Sequence, residues 1–274
     1  MIPTVYVVSF NNRHTRNSLG YLLFVLFIKP WRHSVTAAVL VVLTGCAAVP
    51  EGAEFSDPYE QANRKVHSFN TGVDRVLLRP SSQAYGTVIP QPVKQGVTNF
   101  ASNLNQPGYV VNDVLQGNVE DASHNFFRFL VNTVFGFGGL LNPADSFGLE
   151  ERSSDFGETL HVWGAEEGNY LELPLLGPST GRDAVGTVVD IAMNPLNFVL
   201  PSEQAATAAI ASGASLVGDR YQYSDFIDSI LYESADSYAQ ARLQYLQNRR
   251  FTLADGSVEE EDYFDPFEDE DFLQ

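Results

Sequence analysis

Residues 173–183 read LPLLGPSTGRD, and the interpretation of this stretch decides the fold class. Gly177 to Gly181 fits the pattern G-x-S-x-G, an apolar run that begins at Tyr170 precedes it, and a predicted helix from Arg182 to Ala192 follows it. A strand, a sharp turn that carries a serine and a helix together form the nucleophile elbow of α/β-hydrolases. The stretch therefore raises the hypothesis that Ser179 is the nucleophile of an esterase.

The order of the histidines argues against that hypothesis. An α/β-hydrolase places its acid and its histidine after the serine, whereas the histidines of this chain all precede Ser179, at His14, His33, His67, His124 and His161. Pro178 fixes φ beside the serine, and the parallel strands that support an elbow are missing from the pattern. A triad in another order would need His67, His124 or His161, which we interpret as helix-capping or core-edge histidines. We therefore predict no catalytic residue.

The sequence predicts neither a metal site nor a phosphate-binding loop. It contains no H-x-x-x-H pattern and one cysteine, and its acidic clusters lack the glycine and the spacing of a calcium loop. Gly181 is followed by Arg182 and Asp183, where a P-loop requires lysine and then serine or threonine. We expect Arg182 and Asp183 to form a local ion pair at a helix start, where an aspartate is favourable.

The first 45 residues have the composition of a secretory signal. They contain four basic residues and no acidic residue, and two apolar runs, 19–28 and 35–43, lead into Leu-Thr-Gly-Cys at Cys46. Neither run reaches the ~18 apolar residues of a spanning helix, and the small residues before Cys46 fit processing. We predict a lipoprotein signal peptide over 1–45, acylation of Cys46 and a tether over 46–56. The alternative is a transmembrane hairpin bent at Pro30.

The chain after the signal is strongly acidic. Four of the 16 basic residues and none of the 34 acidic residues precede Cys46, so the mature chain has a formal charge of −22. Such a surface repels nucleic acid and anionic membrane surfaces, so we expect no nucleic-acid partner. Residues 255–274 hold ten acidic residues and no base, a composition that predicts a disordered tail.

Helical periodicity dominates residues 57–254, which we predict to be one mainly α domain with at most a short hairpin of strand. Asp57-Pro58 indicates a helix start with Asp57 as the N-cap, and Arg79-Pro80 indicates its end. Further apolar patterns predict helices over 93–104, 110–115, 119–135, 202–217 and 226–249. The helix over 119–135 is apolar nearly all round. Such a helix lies in a core or faces lipid, and we favour the core.

Many separate motifs resemble the MlaA/VacJ family of outer-membrane lipoproteins. The resemblance runs from about residue 57 to 200 and rests on Asp57-Pro58-Tyr59-Glu60, Asn63-Arg64, Phe69-Asn70, Arg79-Pro80, Tyr85, Asn103-Leu104, Asn112, Leu115-Gln116-Gly117, Arg128-Phe129, Asn132-Thr133, Gly136-Phe137-Gly138-Gly139-Leu140, Asp155-Phe156-Gly157-Glu158-Thr159-Leu160, Trp163-Gly164, Gly168, Tyr170, Leu173-Pro174-Leu175-Leu176-Gly177-Pro178-Ser179-Thr180 and Arg182-Asp183. No single motif of this set is as specific as their combination.

The resemblance implies a ring-like helical protein in the inner leaflet of the outer membrane, with an amphipathic channel that removes mislocalised phospholipid from the outer leaflet. It implies a trimeric porin and a soluble periplasmic lipid carrier as partners, phospholipid as a transient ligand, and no cofactor besides the acyl chains on Cys46. It places a channel and gating loop at Asn63, Phe69, Asn70, Gly136, Phe137, Gly138, Gly139, Leu140 and Leu141. It makes Asp155, Phe156, Gly157, Gly177, Pro178, Ser179, Arg182 and Asp183 a scaffold turn.

Two other functions stay open on the sequence alone. One is a periplasmic phospholipase or esterase that uses Ser179. The other is a lipid-anchored scaffold that only holds a porin, for which changes in the 136–141 loop would leave the lipid distribution unaltered.

Overall fold

Helices carry most of residues 56–254, the part of the chain that the computed structural model describes. The predicted signal peptide, Cys46, the tether as far as residue 55 and the acidic tail lie outside the described residues. The elements, in chain order, are α1 (Glu60–Val73), a π-helical segment (Asp74–Leu78), α2 (Arg79–Val88), α3 (Gln91–Gln116), α4 (Val119–Phe135), α5 (Pro143–Ser146), α6 (Phe156–Val162), β1 (Tyr170–Leu173), β2 (Gly177–Thr180), α7 (Gly181–Met193), α8 (Leu196–Val199), α9 (Ser202–Gln222), α10 (Ser224–Asp228), a second π-helical segment (Ser229–Glu233) and α11 (Ser237–Leu253).

This architecture confirms the predicted mainly α fold with one short hairpin. The strands β1 and β2 are antiparallel, with Tyr170 opposite Thr180 and Leu173 opposite Gly177. Helix α3 packs on α4, α6 on α7, and α9 across α2 and α3, while α1 and α11 contact the hairpin. Within residues 56–254, no helix combines the length and the apolar character that crossing a membrane requires.

The first helix begins later and runs further than predicted. Asp57 does not cap it, because its carboxylate instead accepts hydrogen bonds from Asn63, Tyr238 and Arg242. The predicted end at Arg79-Pro80 is also wrong. The backbone N–H of Arg79 donates to the carbonyl of Asp74, five residues earlier. This wider turn removes the clash that a proline ring makes with the carbonyl four residues before it, so the chain continues into α2.

Two other predicted boundaries are wrong. The helices predicted over 93–104 and 110–115 are one helix, α3, which contains Pro107 and ends at Gly117, whose φ is +77°. Gly117 supplies the left-handed conformation that commonly ends a helix, whereas the helix continues through Pro107. The long helix predicted over 226–249 is divided by the π-helical segment and by Ser234, whose backbone is extended.

Helix α4 reverses the favoured prediction that it lies in a core. Phe127 and Phe135 are 53% and 69% exposed. Asn125 and Arg128 are 0% and 3% exposed, and Asn132 is buried with them. The polar stripe therefore faces inward and the aromatic residues face outward. This is the opposite of the arrangement in a surface helix of a soluble protein, whose apolar face is buried.

The whole described unit shares this inverted arrangement. Its buried apolar side chains form a small set: Ala101, Ala122, Ala144, Tyr170, Tyr238 and Leu246. Its buried polar and charged side chains form a much longer one, in which asparagines, aspartates and arginines of distant elements pair with one another. Soluble domains bury apolar residues and rarely bury unpaired charges, so the hydrogen-bonded polar interior marks this fold as unusual.

Candidate functional site

The glycine-rich segment from Gly136 to Leu141 forms a tight turn at the end of α4. Phe137, Gly138 and Gly139 have φ of 54°, 76° and 99°. A Cβ at Gly139 would lie 2.6 Å from Cβ of Asn103, and one at Gly136 would lie 2.4 Å from the carbonyl oxygen of Asn132. Glycine is therefore required by space at both positions and by φ at Gly139.

Asparagines of α3 and α4 hold this turn in place. Asn99 donates to the carbonyl of Leu140 at 3.2 Å, and Asn103 donates to the hydroxyl of Thr133 at 3.0 Å. Asn132 donates to the side-chain oxygen of Asn142 and accepts from the backbone N–H of Ala144, both at 3.0 Å. Phe137, Leu140 and Leu141 remain exposed at the tip. The turn thus presents apolar side chains from a polar support.

Asn63 and Asn70, predicted as channel residues, both fasten α1 to the hairpin. Asn63 is buried, donates to the carbonyl of Tyr170 at 3.1 Å and accepts from the N–H of Glu172. Asn70 donates to the carbonyl of Leu173 at 3.0 Å and accepts from the N–H of Leu175 at 2.8 Å. Phe69 is exposed on the same helix. Neither asparagine contacts the glycine turn, so the structure divides the predicted channel set between two places.

Four of the residues predicted as a scaffold turn, Asp155, Gly157, Arg182 and Asp183, lie at the junction of α6, α7 and α11. Asp155 caps α6 by accepting from the N–H of Glu158 at 2.9 Å, and Arg249 of α11 donates to both Asp155 and Asp183. The predicted local ion pair of Arg182 and Asp183 is present at 3.3 Å. Gly157 and Gly186 allow α6 and α7 to touch, because a Cβ at Gly186 would lie 2.4 Å from the backbone nitrogen of Gly157.

Electrostatics stabilise this junction. Burial by itself raises the pKa of Asp183, but hydrogen bonds from Arg249 and Tyr245 outweigh it and lower the pKa. Glu158 has no such direct donor from an arginine. Burial, and then repulsion from Asp155, raise its pKa to about 7.

Ser179 lies within β2 rather than at the tip of a strand–helix turn. Its hydroxyl donates to the carbonyl of Thr180 at 3.3 Å. The histidines of the described residues have other partners: His67 bonds Glu172 and Ser237, His124 bonds the carbonyl of Glu150, and His161 contacts Arg182. A cavity of about 310 Å³ borders Ser179, and its lining contains no histidine. The geometry of an activated serine requires a base within hydrogen-bonding reach, and none of these histidines provides it.

Two adjoining cavities lie between α1, the hairpin and the start of α11. We call the larger the polar cavity; it has about 530 Å³ and is lined by Arg64, Ser68, Thr71, Arg75, Asp236 and Ser237. We call the smaller the apolar cavity; it has about 210 Å³ and is lined by Val73, Leu78, Leu175, Leu176 and Leu231. His67, Thr71 and Leu231 line both. No group of side chains within residues 56–254 is arranged to hold a metal ion.

A buried ion cluster adjoins the apolar cavity through Asp74, which lines it. Arg220 of α9 donates to both carboxylate oxygens of Asp74, at 2.7 and 2.9 Å, and to Asp228 at 2.6 Å. Tyr232 donates to Asp74 at 2.6 Å. Burial by itself raises the pKa of Asp74, but the bonds from Arg220 and Tyr232 lower it. The cluster connects the two π-helical segments through α9.

The family of this chain follows from its match to a family model, that of the MlaA lipoproteins, over residues 55–252. This chain belongs to the MlaA lipoprotein family. Relatives named "Intermembrane phospholipid transport system lipoprotein MlaA" include one from Haemophilus influenzae, 33% identical over 80% of this chain and 89% of the relative. Another, from Escherichia coli K12, is 31% identical over 83% of this chain and 90% of the relative.

A solved structure shares the fold of this chain. A structure reported under the words "Structural basis for maintenance of bacterial outer membrane lipid asymmetry" matches with a TM-score of 0.61 and 31% identity, covering 72% of this chain and 99% of that one. An uncharacterised protein of Rickettsia felis is 36% identical over 69% of this chain and 74% of its own length. The resemblance that the sequence motifs indicated is therefore confirmed.

The polar cavity was missed by the sequence analysis. Arg64, Ser68, Thr71 and Arg75 follow one another at steps of four, three and four, which place them on one face of a helix. The apolar residues that predicted this helix mark a different face of it. The partners from Leu231 to Ser237 are more than 150 positions away and carry no local signal.

Proposed function

We propose that this chain is an outer-membrane lipoprotein that removes mislocalised phospholipid from the outer leaflet and passes it through an amphipathic channel to a soluble periplasmic carrier. Members of its family carry the name of a phospholipid transport lipoprotein, and the matching structure concerns outer-membrane lipid asymmetry. The net effect would be to keep that membrane asymmetric.

The inverted helix α4 is the observation that carries this proposal. Its aromatic residues face outward while Asn125, Arg128 and Asn132 face inward. An exterior of exposed apolar side chains suits a body immersed in one leaflet, here the periplasm-facing leaflet. A hydrogen-bonded polar interior suits the passage of a charged headgroup.

The energetics explain why such a device is needed. Moving two acyl chains into water costs about 0.8 kcal/mol for each CH₂, hence on the order of 20 kcal/mol or more for one lipid. Moving a charged headgroup through hydrocarbon adds several kcal/mol. A protein that offers a polar route to the headgroup while the chains stay in lipid lowers both costs.

The remaining parts of the proposal concern the ends of the chain, the loop and the partners. Residues 1–45 are a signal peptide, Cys46 carries the acyl chains, residues 46–56 are a tether and residues 255–274 are an acidic tail. The glycine turn from Gly136 to Leu141 gates the channel. A trimeric porin holds the protein beside the outer leaflet. No cofactor and no catalytic residue take part.

The experiment that tests this function measures phospholipid exposed at the cell surface in a deletion strain, complemented with wild type, Cys46→Ala or Ser179→Ala. We expect the deletion to raise the surface-exposed phospholipid, Ser179→Ala to restore the wild-type level and Cys46→Ala to fail. If Ser179→Ala fails although it is folded and correctly located, the protein acts as an esterase. An unchanged outer leaflet in the deletion strain would exclude the transport function.

A scaffold that only holds a porin predicts a different result. Changes in the glycine turn would then leave surface phospholipid unaltered while the porin still co-purifies. A raised phospholipid level with intact porin association would reject the scaffold and support a gate.

A further inference from the structure

The polar cavity contains the one arginine of residues 56–254 that has no carboxylate partner in that range. Every other arginine there pairs with an aspartate or a glutamate. The guanidinium of Arg75 lies instead over the ring of Tyr232, at 5.2 Å from its centroid. Cation–π contact orients a guanidinium without neutralising its charge. The positive charge of Arg75 is therefore available at the cavity wall of an otherwise acidic chain.

Arg64, the other arginine of the polar cavity, has a different role. It donates to Asp236 through two nitrogens, at 3.0 and 2.8 Å, and to Glu60 at 2.7 Å. These carboxylates neutralise the charge of Arg64, and the bonds to Asp236 join α1 to the start of α11 at the wall of the polar cavity. The lining of the polar cavity thus contains two guanidinium groups against the single carboxylate of Asp236. The apolar cavity is also lined by the carboxylates of Asp74 and Glu172, which accept hydrogen bonds from Arg220 and Tyr170. Within the described range, the arginine without a carboxylate partner is Arg75.

Thr71 supplies an independent sign of a ligand. Its hydroxyl is buried and has no hydrogen-bond partner within the described part of the chain, yet the residue lines both cavities. A buried hydroxyl without a partner costs free energy. A ligand with an acceptor oxygen at the junction of the two cavities would remove that cost.

The tip of the hairpin completes an amphipathic site. Leu175 has φ of +66° and is 69% exposed, a backbone conformation that is unfavourable for leucine. Asn70 stabilises it by accepting from the N–H of Leu175. The strained turn holds Leu175 and Leu176 at the wall of the apolar cavity. Both side chains are exposed there, so a bound acyl chain would bury their apolar surface.

We propose that the two cavities form one phospholipid-binding site, in which Arg75 and Thr71 bind the phosphodiester and Leu175, Leu176 and Leu231 contact the adjoining acyl chain. A guanidinium and a hydroxyl are both donors, as phosphate oxygens require. The apolar cavity of about 210 Å³ takes the glycerol-proximal part of one chain, and the rest follows the exposed leucines outward. This site rests on the proposed transport function and specifies where the lipid binds.

Equilibrium binding of radiolabelled phosphatidylethanolamine to the full-length acylated protein in detergent tests the site. We expect Arg75→Ala to weaken binding on the order of tenfold, the usual effect of losing a hydrogen bond to a charged group. Lys65→Ala is the matched control, since Lys65 is an exposed base of α1, the helix that precedes Arg75, and it lines neither cavity. We expect no change. Equal binding by Arg75→Ala and wild type would overturn the site.

Thr71→Val separates ligand binding from folding. Valine has nearly the shape of threonine and lacks the unpartnered hydroxyl, so we expect an unchanged or higher melting temperature. The same variant should bind the lipid severalfold more weakly. A variant that binds like wild type would remove Thr71 from the site.

Competitors identify the part of the lipid that is recognised. We expect glycerophosphoethanolamine to compete weakly, and diacylglycerol with the same chains, which lacks phosphate, to bind at least about tenfold more weakly than the phospholipid. Competition by inorganic phosphate as strong as that by glycerophosphoethanolamine would show a free-anion site and overturn the lipid assignment, as would diacylglycerol binding as tightly as phospholipid. If wild type itself binds no phospholipid, the transport function fails together with the site. If wild type binds phospholipid and Arg75→Ala binds it equally well, the site alone fails.

Discussion

Glu158, at the start of α6, is a carboxyl whose environment favours its neutral form. Its pKa of about 7 lies above the usual glutamate value of 4.5, so the folded protein binds a proton more tightly than the unfolded chain does. Stability from this group is therefore complete below about pH 4.5 and is lost as pH rises through 7. We expect Glu158→Gln to raise stability at pH 8 by about 1 kcal/mol after allowance for partial exposure, which is ~2–4 °C in melting temperature.

Thermal unfolding in detergent between pH 5 and pH 8 measures this effect. The gain from Glu158→Gln should shrink toward pH 5, where the wild-type carboxyl is already neutral. Glu203→Gln, at an exposed position of α9, is the control and should show no such trend. A gain that is the same at pH 5 and pH 8 would contradict the linkage.

At the scale of single residues, the sequence predicted local contacts and missed distant ones. The ion pair of Arg182 and Asp183 was predictable because both residues lie in one helical turn. Asp57 was predicted to cap α1, but its carboxylate accepts from Tyr238 and Arg242, more than 180 positions away. A capping motif contains no information about such partners, and a charged partner binds a carboxylate more strongly than a backbone N–H does.

At the scale of elements, the orientation of α4 predicts that truncating an inward polar side chain destabilises the protein more than truncating an outward aromatic one. Asn125 donates to Asp113 at 2.8 Å and to the carbonyl of Arg152 at 2.9 Å. We expect Asn125→Ala to destabilise the protein by about 1–3 kcal/mol, because it leaves buried acceptors unpaired. Phe127→Ala should cost less than about 1 kcal/mol in detergent, because Phe127 faces outward.

Unfolding by urea in detergent compares the two variants. In a soluble core the order would be opposite, since truncation of a buried phenylalanine costs about 3–5 kcal/mol. A larger loss for Phe127→Ala than for Asn125→Ala would mean that the aromatic face packs against protein rather than lipid.

Alanine substitutions in the glycine turn should destabilise the protein to different degrees. Gly138 has φ of +76° with nothing within 4 Å of an added Cβ, whereas an added Cβ at Gly139 would lie 2.6 Å from Asn103. We expect Gly138→Ala to cost about 1–2 kcal/mol from backbone strain alone. Gly139→Ala should cost a further ~1–3 kcal/mol from the clash.

Surface-exposed phospholipid in cells that carry each variant tests whether the turn is a gate. Gly139→Ala should raise it more than Gly138→Ala at matched protein levels. Gly213→Ala, at an open position of α9 with no left-handed φ, is the control. Equal levels of surface-exposed phospholipid in all three strains would show that the glycine turn takes no part in transport.

Element boundaries show where sequence patterns lose their meaning. Arg79-Pro80 was interpreted as a helix end because an ordinary α-helix does not accommodate proline at low cost. The π-helical segment before Pro80 changes the hydrogen-bond ladder, and its first residue, Asp74, is bonded by Arg220 of α9. Periodicity at 3.6 residues does not report such a tertiary contact.

At the scale of the whole molecule, the apolar exterior predicts direct contact with acyl chains. Trp163 is the one tryptophan after the predicted signal, so Trp163→Phe gives a background without indole fluorescence. In that background, Phe127→Trp should be quenched by lipids with brominated chains and protected from aqueous iodide. Strong iodide quenching without lipid quenching would place this face in water.

The candidate site was only partly predictable at this scale. The motifs indicated the family, the hairpin and the glycine turn, because each of these is continuous in the chain. The polar and apolar cavities arise from α1, the hairpin and α11 together, and a single sequence does not report which distant elements meet. The direction in which α4 faces was also undetermined, because a helix that is apolar nearly all round has no marked inner face.

The polar interior has a consequence for how this sequence can change over generations. The outward phenylalanines and leucines need only remain apolar, so they can be exchanged among apolar residue types with little loss of stability. Each interior partnership, such as Asn125 with Asp113 or Arg220 with Asp74, must instead be replaced on both sides at once. In a lineage of this protein the surface would therefore drift in identity within one chemical class, while the centre would stay fixed or change in matched pairs.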